Sequence, residues 1–192
     1  MERQIMWSSH EKPGLECLRL LQSPDSIVAD SIILGVQEQK PFRAHYEIRC
    51  TAQWRLQAVH VNLLDGSSQP LHLFVDQKGT WTTGSGEIIP ALQGCLDVDI
   101  SATPFTNTLP IRRLALQRGS VATLNMAYIA LPQMQVEATE QRYICLDATP
   151  AGGLYRFESL EHGTSSFTAE LPVDEDGLVL DYPGLFRRVG SW

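Results

Sequence analysis

The chain has 192 residues, of which 43% are apolar and 19% are charged, and its formal net charge is −7. This size and balance are typical of one soluble domain that buries its core without disulfide or metal cross-links. The negative charge argues against nucleic acid and anionic membranes as partners, because both need a basic face. No run approaches the roughly 20 apolar residues of a membrane-spanning helix, and the N-terminus lacks the apolar core of a signal peptide. We therefore expect a single cytoplasmic domain over residues 1–192.

Short segments with a period of two dominate the chain from its start. Residues 15–21 fit either a turn and a half of helix or a strand that pairs with residues 27–36. Two strands are favoured, because the turn sequence Ser23–Ser26 separates them and the second is rich in β-branched side chains. Residues 42–50 alternate between apolar and polar side chains, as in a half-buried strand. Between Trp54 and Leu63 the apolar phase changes near Ala58, which indicates a β-bulge that bends the sheet.

The remaining strands follow at short, regular spacing. They are predicted over residues 71–75, 96–100, 111–116, 121–131, 141–147, 154–160 and 166–171, with a tight turn at Asp176–Gly177. Leu185, Phe186 and Val189 are predicted to form one helical turn packed on a barrel mouth. The pattern predicts an all-β fold with minor helix, and the phase change favours a curved, barrel-like antiparallel sheet over a flat sandwich.

The sequence carries no signature of a known catalytic machine. Its four cysteines (Cys17, Cys50, Cys95 and Cys145) form no CxxC pair and are interpreted as apolar core residues. Its five histidines lie far apart, so no metal site is predicted. No phosphate-binding loop, GxSxG or HExxH motif occurs, and no cofactor is predicted.

The densest polar cluster lies in residues 94–114. Asp97 and Asp99 share one face of a predicted strand, where two carboxylates can hold a metal or transfer protons. The alternative is a solvated strand face, which the usual exposure of acids favours. Arg112 or Arg113 is expected to pair with one of these aspartates.

The segment TPFTNTLP within this cluster has two interpretations. Thr103, Thr106 and Asn107 are able to hydrogen-bond their own backbone, so the segment, with Phe105 at its centre, is a rigid crossover between sheets. Alternatively, it is a polar lip that binds sugar hydroxyls, which Asn, Asp, Thr and Arg side chains suit. The residues alone favour the crossover.

Residues 94–114, QRY at 141–143 and GLVLDYPGLFRR at 177–188 resemble the signature segments of a bacterial family named putative glycolipid-binding, as do Tyr46 and Trp54. The resemblance spans nearly the whole chain. It implies a largely antiparallel sheet curved into a barrel-like shell, similar to bacterial lipoprotein-carrier domains that hold acyl chains. It also implies a cytoplasmic protein that binds a glycolipid or lipid.

Further candidate binding residues come from the same segments. Gln141 and Tyr143 share a strand face that the functional interpretation places at a pocket wall, whereas the alternative is an ordinary cross-strand pair. Asp181 and Tyr182 lead into the C-terminal segment, which is interpreted as a plug or as a gate. Trp54 completes the candidate set.

Three functions are therefore weighed. The first is a monomer that binds an amphiphile, with an acyl chain inside and a sugar at Asp97, Asp99, Asn107 and Arg112. The second is a structural or interaction protein, which requires the TPFTNTLP segment to be buried as architecture and a large apolar patch to be exposed elsewhere. The third is a hydrolase-type enzyme on a sugar-containing substrate, which requires Asp97 or Asp99 in a concave site.

Overall fold

Strands make up 60% of the chain and helices 7% in the computed structural model, which describes residues 1–192. The strands are β1 (Glu2–Ser9), β2 (Leu15–Gln22), β3 (Ser26–Gln37), β4 (Lys40–Thr51), β5 (Leu56–Leu63), β6 (Leu71–Val75), β7 (Trp81–Thr83), β8 (Asp97–Ile100), β9 (Val121–Ala130), β10 (Gln135–Thr149), β11 (Gly152–Glu161), β12 (Thr164–Asp174), β13 (Asp181–Tyr182) and β14 (Phe186–Ser191). One α-helix, α1, spans Thr108–Leu114, and 3₁₀ turns span Pro90–Leu92 and Phe105–Asn107. No helix is long and apolar enough to cross a membrane.

The strands form two sheets. The larger has nine strands in the order β13-β14-β1-β2-β3-β4-β5-β6-β7, and the smaller has five in the order β12-β11-β10-β9-β8. Every pairing is antiparallel except that of β8 with β9. The predicted all-β class is confirmed, but neither sheet closes on itself, so the shell consists of two open sheets.

The bulge expected near Ala58 is present. Cys50 of β4 pairs with Leu56 of β5, and Arg49 pairs with Ala58, so Gln57 is the extra residue. The burial pattern changes phase directly after it: Leu56 and Ala58 are buried in one phase, and Val59 and Val61 are buried in the other. The phase change in the sequence therefore located a real irregularity of the larger sheet.

The segment predicted as a strand over 111–116 is instead the end of α1 and the loop after it. Pro110 falls in the first helical turn, where its missing N–H needs no partner. Ala115 ends the helix in a left-handed conformation, with its N–H donated to the Ile111 carbonyl. A helix is required here because β8 and β9 are parallel, and parallel neighbours need a long crossover.

The predicted C-terminal helical turn is also wrong, because residues 186–191 form β14. Leu185 N–H bonds to the Tyr182 carbonyl across Pro183 and Gly184, which closes a turn from β13. β14 then pairs with β1 and satisfies backbone groups that an unpaired sheet edge would expose. The strand therefore extends the larger sheet, whereas a helical turn would have left that edge open.

The main apolar core lies between the two sheets. Leu18 and Leu20 of β2 and Ile48 of β4 contribute from the larger sheet, and Val98 and Ile129 contribute from the smaller. Three of the cysteines, Cys50, Cys95 and Cys145, are buried as predicted. Cys17 is exposed, because it lies on the opposite face of β2 from the buried leucines.

We expect the Leu20→Ala substitution to lower the free energy of unfolding by about 2–5 kcal/mol, because it leaves a cavity in this core. Leu64→Ala is the matched control, since Leu64 lies in a turn and is 41% exposed. Urea denaturation followed by circular dichroism measures both. Equal effects of the two substitutions would contradict the assigned core.

Candidate ligand-binding site

Two adjoining cavities open between the sheets. The larger has a volume of about 560 Å³ and the smaller about 370 Å³. Ser101, Tyr128, Leu185 and Phe186 line both, so these four residues form the boundary between them. Both volumes lie within the range of small-molecule sites, which is about 300–1,000 Å³.

The larger cavity has walls from both sheets. Its apolar lining is mainly aliphatic and includes Leu15, Ile33, Leu34, Val36 and Leu131. Glu11 and Lys12, from the turn between β1 and β2, also contribute to it. The cavity therefore combines an aliphatic wall with a few polar groups, as ligand sites commonly do.

Glu16 is a buried acid in the wall of this larger cavity and is only 2% exposed. Its Oε1 accepts hydrogen bonds from the Tyr46 hydroxyl at 2.6 Å and the Ser31 hydroxyl at 2.9 Å. Its Oε2 is buried and has no hydrogen-bond partner. Such an unpartnered buried oxygen is costly in a folded protein and calls for a functional explanation.

Burial raises the pKa of Glu16 from its ordinary value of 4.5 to about 7. The nearby hydroxyls of Thr103, Tyr46 and Ser31 act in the opposite direction, because they stabilise the ionised carboxylate. Near neutral pH the group is therefore poised between a carboxylic acid and a carboxylate.

The smaller cavity contains another acid, Asp99, which is partly buried. Its Oδ2 accepts a 2.6 Å hydrogen bond from the Gln141 amide, and its Oδ1 accepts one of 3.0 Å from the Thr106 hydroxyl. Burial raises the pKa of Asp99, and these two hydrogen bonds oppose the change. The polar cluster predicted around residues 94–114 thus meets β10 at this cavity.

Tyrosines surround the Asp99 carboxylate. Burial raises the pKa of Tyr128, Tyr143 and Tyr182, and the neighbouring negative charge of Asp99 raises each of them further. Tyr143 donates a hydrogen bond to Asn107 Oδ1 at 3.0 Å. These phenols therefore remain protonated and provide hydroxyl groups rather than charge.

Part of the wall of the smaller cavity is aromatic. Phe157, Phe167 and Tyr182 form it, with Phe186 at the boundary. The ring of Tyr182 is central, with its centroid 6.1 Å from that of Phe157, 6.2 Å from that of Phe167 and 6.3 Å from that of Phe186. An aromatic wall facing a carboxylate, amides and hydroxyls is suited to a ring that has both C–H faces and hydroxyl groups.

Five of the predicted site residues line the smaller cavity. They are Asp99, Thr103, Asn107, Gln141 and Tyr182. Thr106 and Tyr143 contact members of this set through hydrogen bonds. However, the TPFTNTLP segment is not an exposed lip, because residues 103–111 are all buried. Its polar side chains face the inside of the protein, where they line a cavity.

Asp97 and Arg113 lie outside both cavities and form an ion pair. The Arg113 guanidinium donates to both oxygens of Asp97, at 2.6 Å from Nη2 and 3.1 Å from Nε. Asp97 is fully buried, and burial raises its pKa against the effect of Arg113. The favoured prediction of a solvated face for Asp97 and Asp99 is therefore wrong, while the expected pairing with an arginine is present.

The other predicted site residues also lie away from the cavities. The Arg112 guanidinium is 5.7 Å from the ring centre of Trp54. Asp181 pairs with His10 at 3.0 Å near the surface. Phe105 stacks against Tyr46 in the core, with ring centres 6.4 Å apart.

Sequence reasoning missed Glu16, although its position carries a signal. Glu16 has the same strand phase as Leu18 and Leu20, whereas Cys17 and Arg19 have the other phase. An acid in the apolar phase of a strand indicates a buried carboxylate. The aromatic wall was also missed, because Phe157 and Phe167 look like ordinary core residues.

The chain is similar to known proteins over almost its whole length. A family described as "Putative glycolipid-binding" matches residues 4–188. The crystal structure of a DUF1089 family protein from Pseudomonas aeruginosa, at 1.80 Å resolution, has 40% sequence identity and a TM-score of 0.79, with 95% of each chain covered. No curated protein matches the chain.

We expect the stability of the protein to depend on pH through Glu16. The folded-state pKa of about 7 exceeds the ordinary 4.5, so the folded protein holds the proton more tightly. The free energy of unfolding should fall by about 3 kcal/mol as pH rises from below 4.5 to above 7. Glu16→Gln should remove this part of the pH dependence. Urea denaturation of both proteins across this range measures it, and parallel curves would contradict the assignment.

We expect Arg113→Met to lower the free energy of unfolding by about 3–5 kcal/mol, because it leaves the buried Asp97 carboxylate without its partner. Arg118→Met is the control, since Arg118 is exposed on the loop after α1. Chemical denaturation at neutral pH compares the two. A similar small loss in both variants would show that the ion pair is not needed for stability.

Proposed function

Because the chain belongs to the family described as "Putative glycolipid-binding", we propose that it binds a glycolipid or related amphiphile in the two adjoining cavities. The observation that carries the proposal is the continuity of an aliphatic cavity with an aromatic and polar one. An amphiphile likewise joins an aliphatic chain to a polar head group in one molecule. The family description and the geometry therefore point in the same direction.

The proposed orientation follows from the two linings. An acyl chain lies in the larger cavity against Ile33, Leu34 and Leu131, where its burial is favourable by about 0.8 kcal/mol per methylene group. The sugar lies in the smaller cavity, stacked on the aromatic wall, with hydroxyl groups directed to Asp99 and Gln141. The ligand crosses the boundary beside Leu185 and Phe186.

The hydrolase alternative now rests on Asp99 alone. Asp97 lines neither cavity, and both of its oxygens bond to Arg113. Asp99 is held by Thr106 and Gln141, and neither cavity is lined by a histidine or cysteine that would act beside it. These contacts suit a fixed hydrogen-bond acceptor better than a proton-transfer group, so we rank binding first.

We further propose that the ligand is bound by a monomer in the cytoplasm, in keeping with the family resemblance and the acidic composition. The structural-protein alternative has one of its two requirements met, because residues 103–111 are buried. We rank it second, because Thr103 and Asn107 of this segment also line the smaller cavity. Native mass spectrometry of the protein purified from cells tests two of these points. The mass of the protein gives its oligomeric state, and the mass of any retained lipid separates binding from a purely structural role.

We expect Ala130→Phe to weaken amphiphile binding by about tenfold or more, because the added ring fills part of the larger cavity. Titration with sucrose monolaurate, a soluble sugar ester, measures the affinity through tryptophan fluorescence, since Trp7 lies in the cavity wall. Ala138→Phe is the control, because Ala138 is exposed and lines neither cavity.

Two outcomes would contradict the proposal. If the wild-type protein retains no lipid on purification and binds no amphiphile on titration, the proposed function is wrong. If both alanine variants bind as tightly as the wild type, the larger cavity is not the site.

A further inference from the structure

The larger cavity contains one polar feature that an acyl chain alone does not explain. Glu16 is buried in its wall, and Oε2 of this residue has no partner in the protein. An aliphatic residue at this position would serve a purely hydrocarbon ligand better, because it would avoid the cost of burying an acid. The ligand should therefore supply a group that pairs with Oε2.

The hydrogen bonds of Glu16 fix which oxygen carries the proton. Oε1 already accepts from the hydroxyls of Tyr46 and Ser31, so the proton of the carboxylic acid is placed on Oε2. In that form Oε2 is a donor directed at no acceptor. A ligand oxygen that accepts this hydrogen bond completes the arrangement, and the carbonyl oxygen of an ester or amide is a stronger acceptor than the ether-type oxygen of an alkyl glycoside.

The groups that face Glu16 leave it sensitive to pH. Ser31 comes from β3, Tyr46 from β4 and Thr103 from the crossover, and Trp7 pairs with Glu16 across β1 and β2. Tyr46 stays protonated, because burial and the negative charge of Glu16 raise its pKa.

The remaining titratable groups of the same cavity are Glu11, Lys12 and Tyr128. None of them contributes to the raised pKa of Glu16, which burial produces. The protonation state of Glu16 is therefore set by its burial, by the hydroxyls of Thr103, Tyr46 and Ser31, and by the ligand that occupies the cavity.

We propose that the larger cavity selects acyl compounds over alkyl compounds through a hydrogen bond from protonated Glu16 Oε2 to the ligand's carbonyl oxygen. This inference rests on the proposed function and names the chemical class of its ligand, an ester or amide of a fatty acid. Ionisation of Glu16 removes the donor and turns a carboxylate toward the carbonyl oxygen. Preference for an acyl ligand is therefore lost as the pH rises above neutrality.

Two soluble probes separate these classes. Sucrose monolaurate carries a twelve-carbon chain on a disaccharide through an ester carbonyl, and dodecyl maltoside carries one through an ether oxygen. Both are titrated into the full-length protein below the concentrations at which they form micelles. The measured quantity is the ratio of the two affinities, because it cancels general effects of pH on the protein.

We expect this ratio to favour the ester about tenfold more at about pH 5.5 than at about pH 8.5. In Glu16→Gln the amide oxygen accepts from Tyr46 and Ser31, and the amide nitrogen donates from the Oε2 position at every pH. The ratio should then favour the ester at both pH values. Glu161→Gln is the matched control and should retain the pH dependence of the wild type, because Glu161 is exposed and lines neither cavity.

The outcomes are distinct. If the wild-type ratio is the same at both pH values, the inference is wrong, although binding of both probes would leave the proposed function standing. If neither probe binds, the proposed function itself fails. Should Glu16→Gln not fold, the wild-type ratio and the Glu161→Gln control still decide the question.

Discussion

The parallel pairing of β8 with β9 is the constraint on which the rest of the structure depends. All other strand pairs are antiparallel, so this pair alone requires a long crossover. Residues 103–111 of the crossover are buried. The crossover places Thr103 and Asn107 at the smaller cavity and stacks Phe105 against Tyr46, which in turn bonds Glu16. The Asp97–Arg113 pair joins its helix to β8.

The protein keeps two acids at its cavities that its own side chains do not neutralise. Asp97 is buried as deeply but has a guanidinium beside it, whereas Glu16 and Asp99 are held only by neutral donors. Burial without a counter-charge lowers stability, and such departures from good packing are expected where a protein has a function. Tyr46, which donates to Glu16, also lies 3.4 Å from the Thr103 hydroxyl in the wall of the smaller cavity.

Strand periodicity predicted most of the fold, and the failures have physical causes. The bulge beside Ala58 was visible because a bulge changes the apolar phase. Helix α1 could not be recognised from periodicity, because it has only seven residues, is buried on most sides and contains Pro110. For the site, the family resemblance identified Asp99 and Gln141 as candidate residues. Their contact depends on how β8 and β10 are placed in the smaller sheet, which the sequence does not show. The phase of Glu16 on β2 was readable, yet its cavity exists only in three dimensions.

The pairing of β14 with β1 has a consequence for how the protein folds. Gln4 and Trp192 exchange both backbone hydrogen bonds, so this contact spans nearly the entire chain. Contacts between such distant residues carry a large loop-closure cost and are typical of slowly folding β-proteins. Leu185 and Phe186, which line both cavities, belong to this late segment. These two residues are synthesised after every other residue that lines the cavities, so the boundary between the two cavities is the last part of their wall to leave the ribosome.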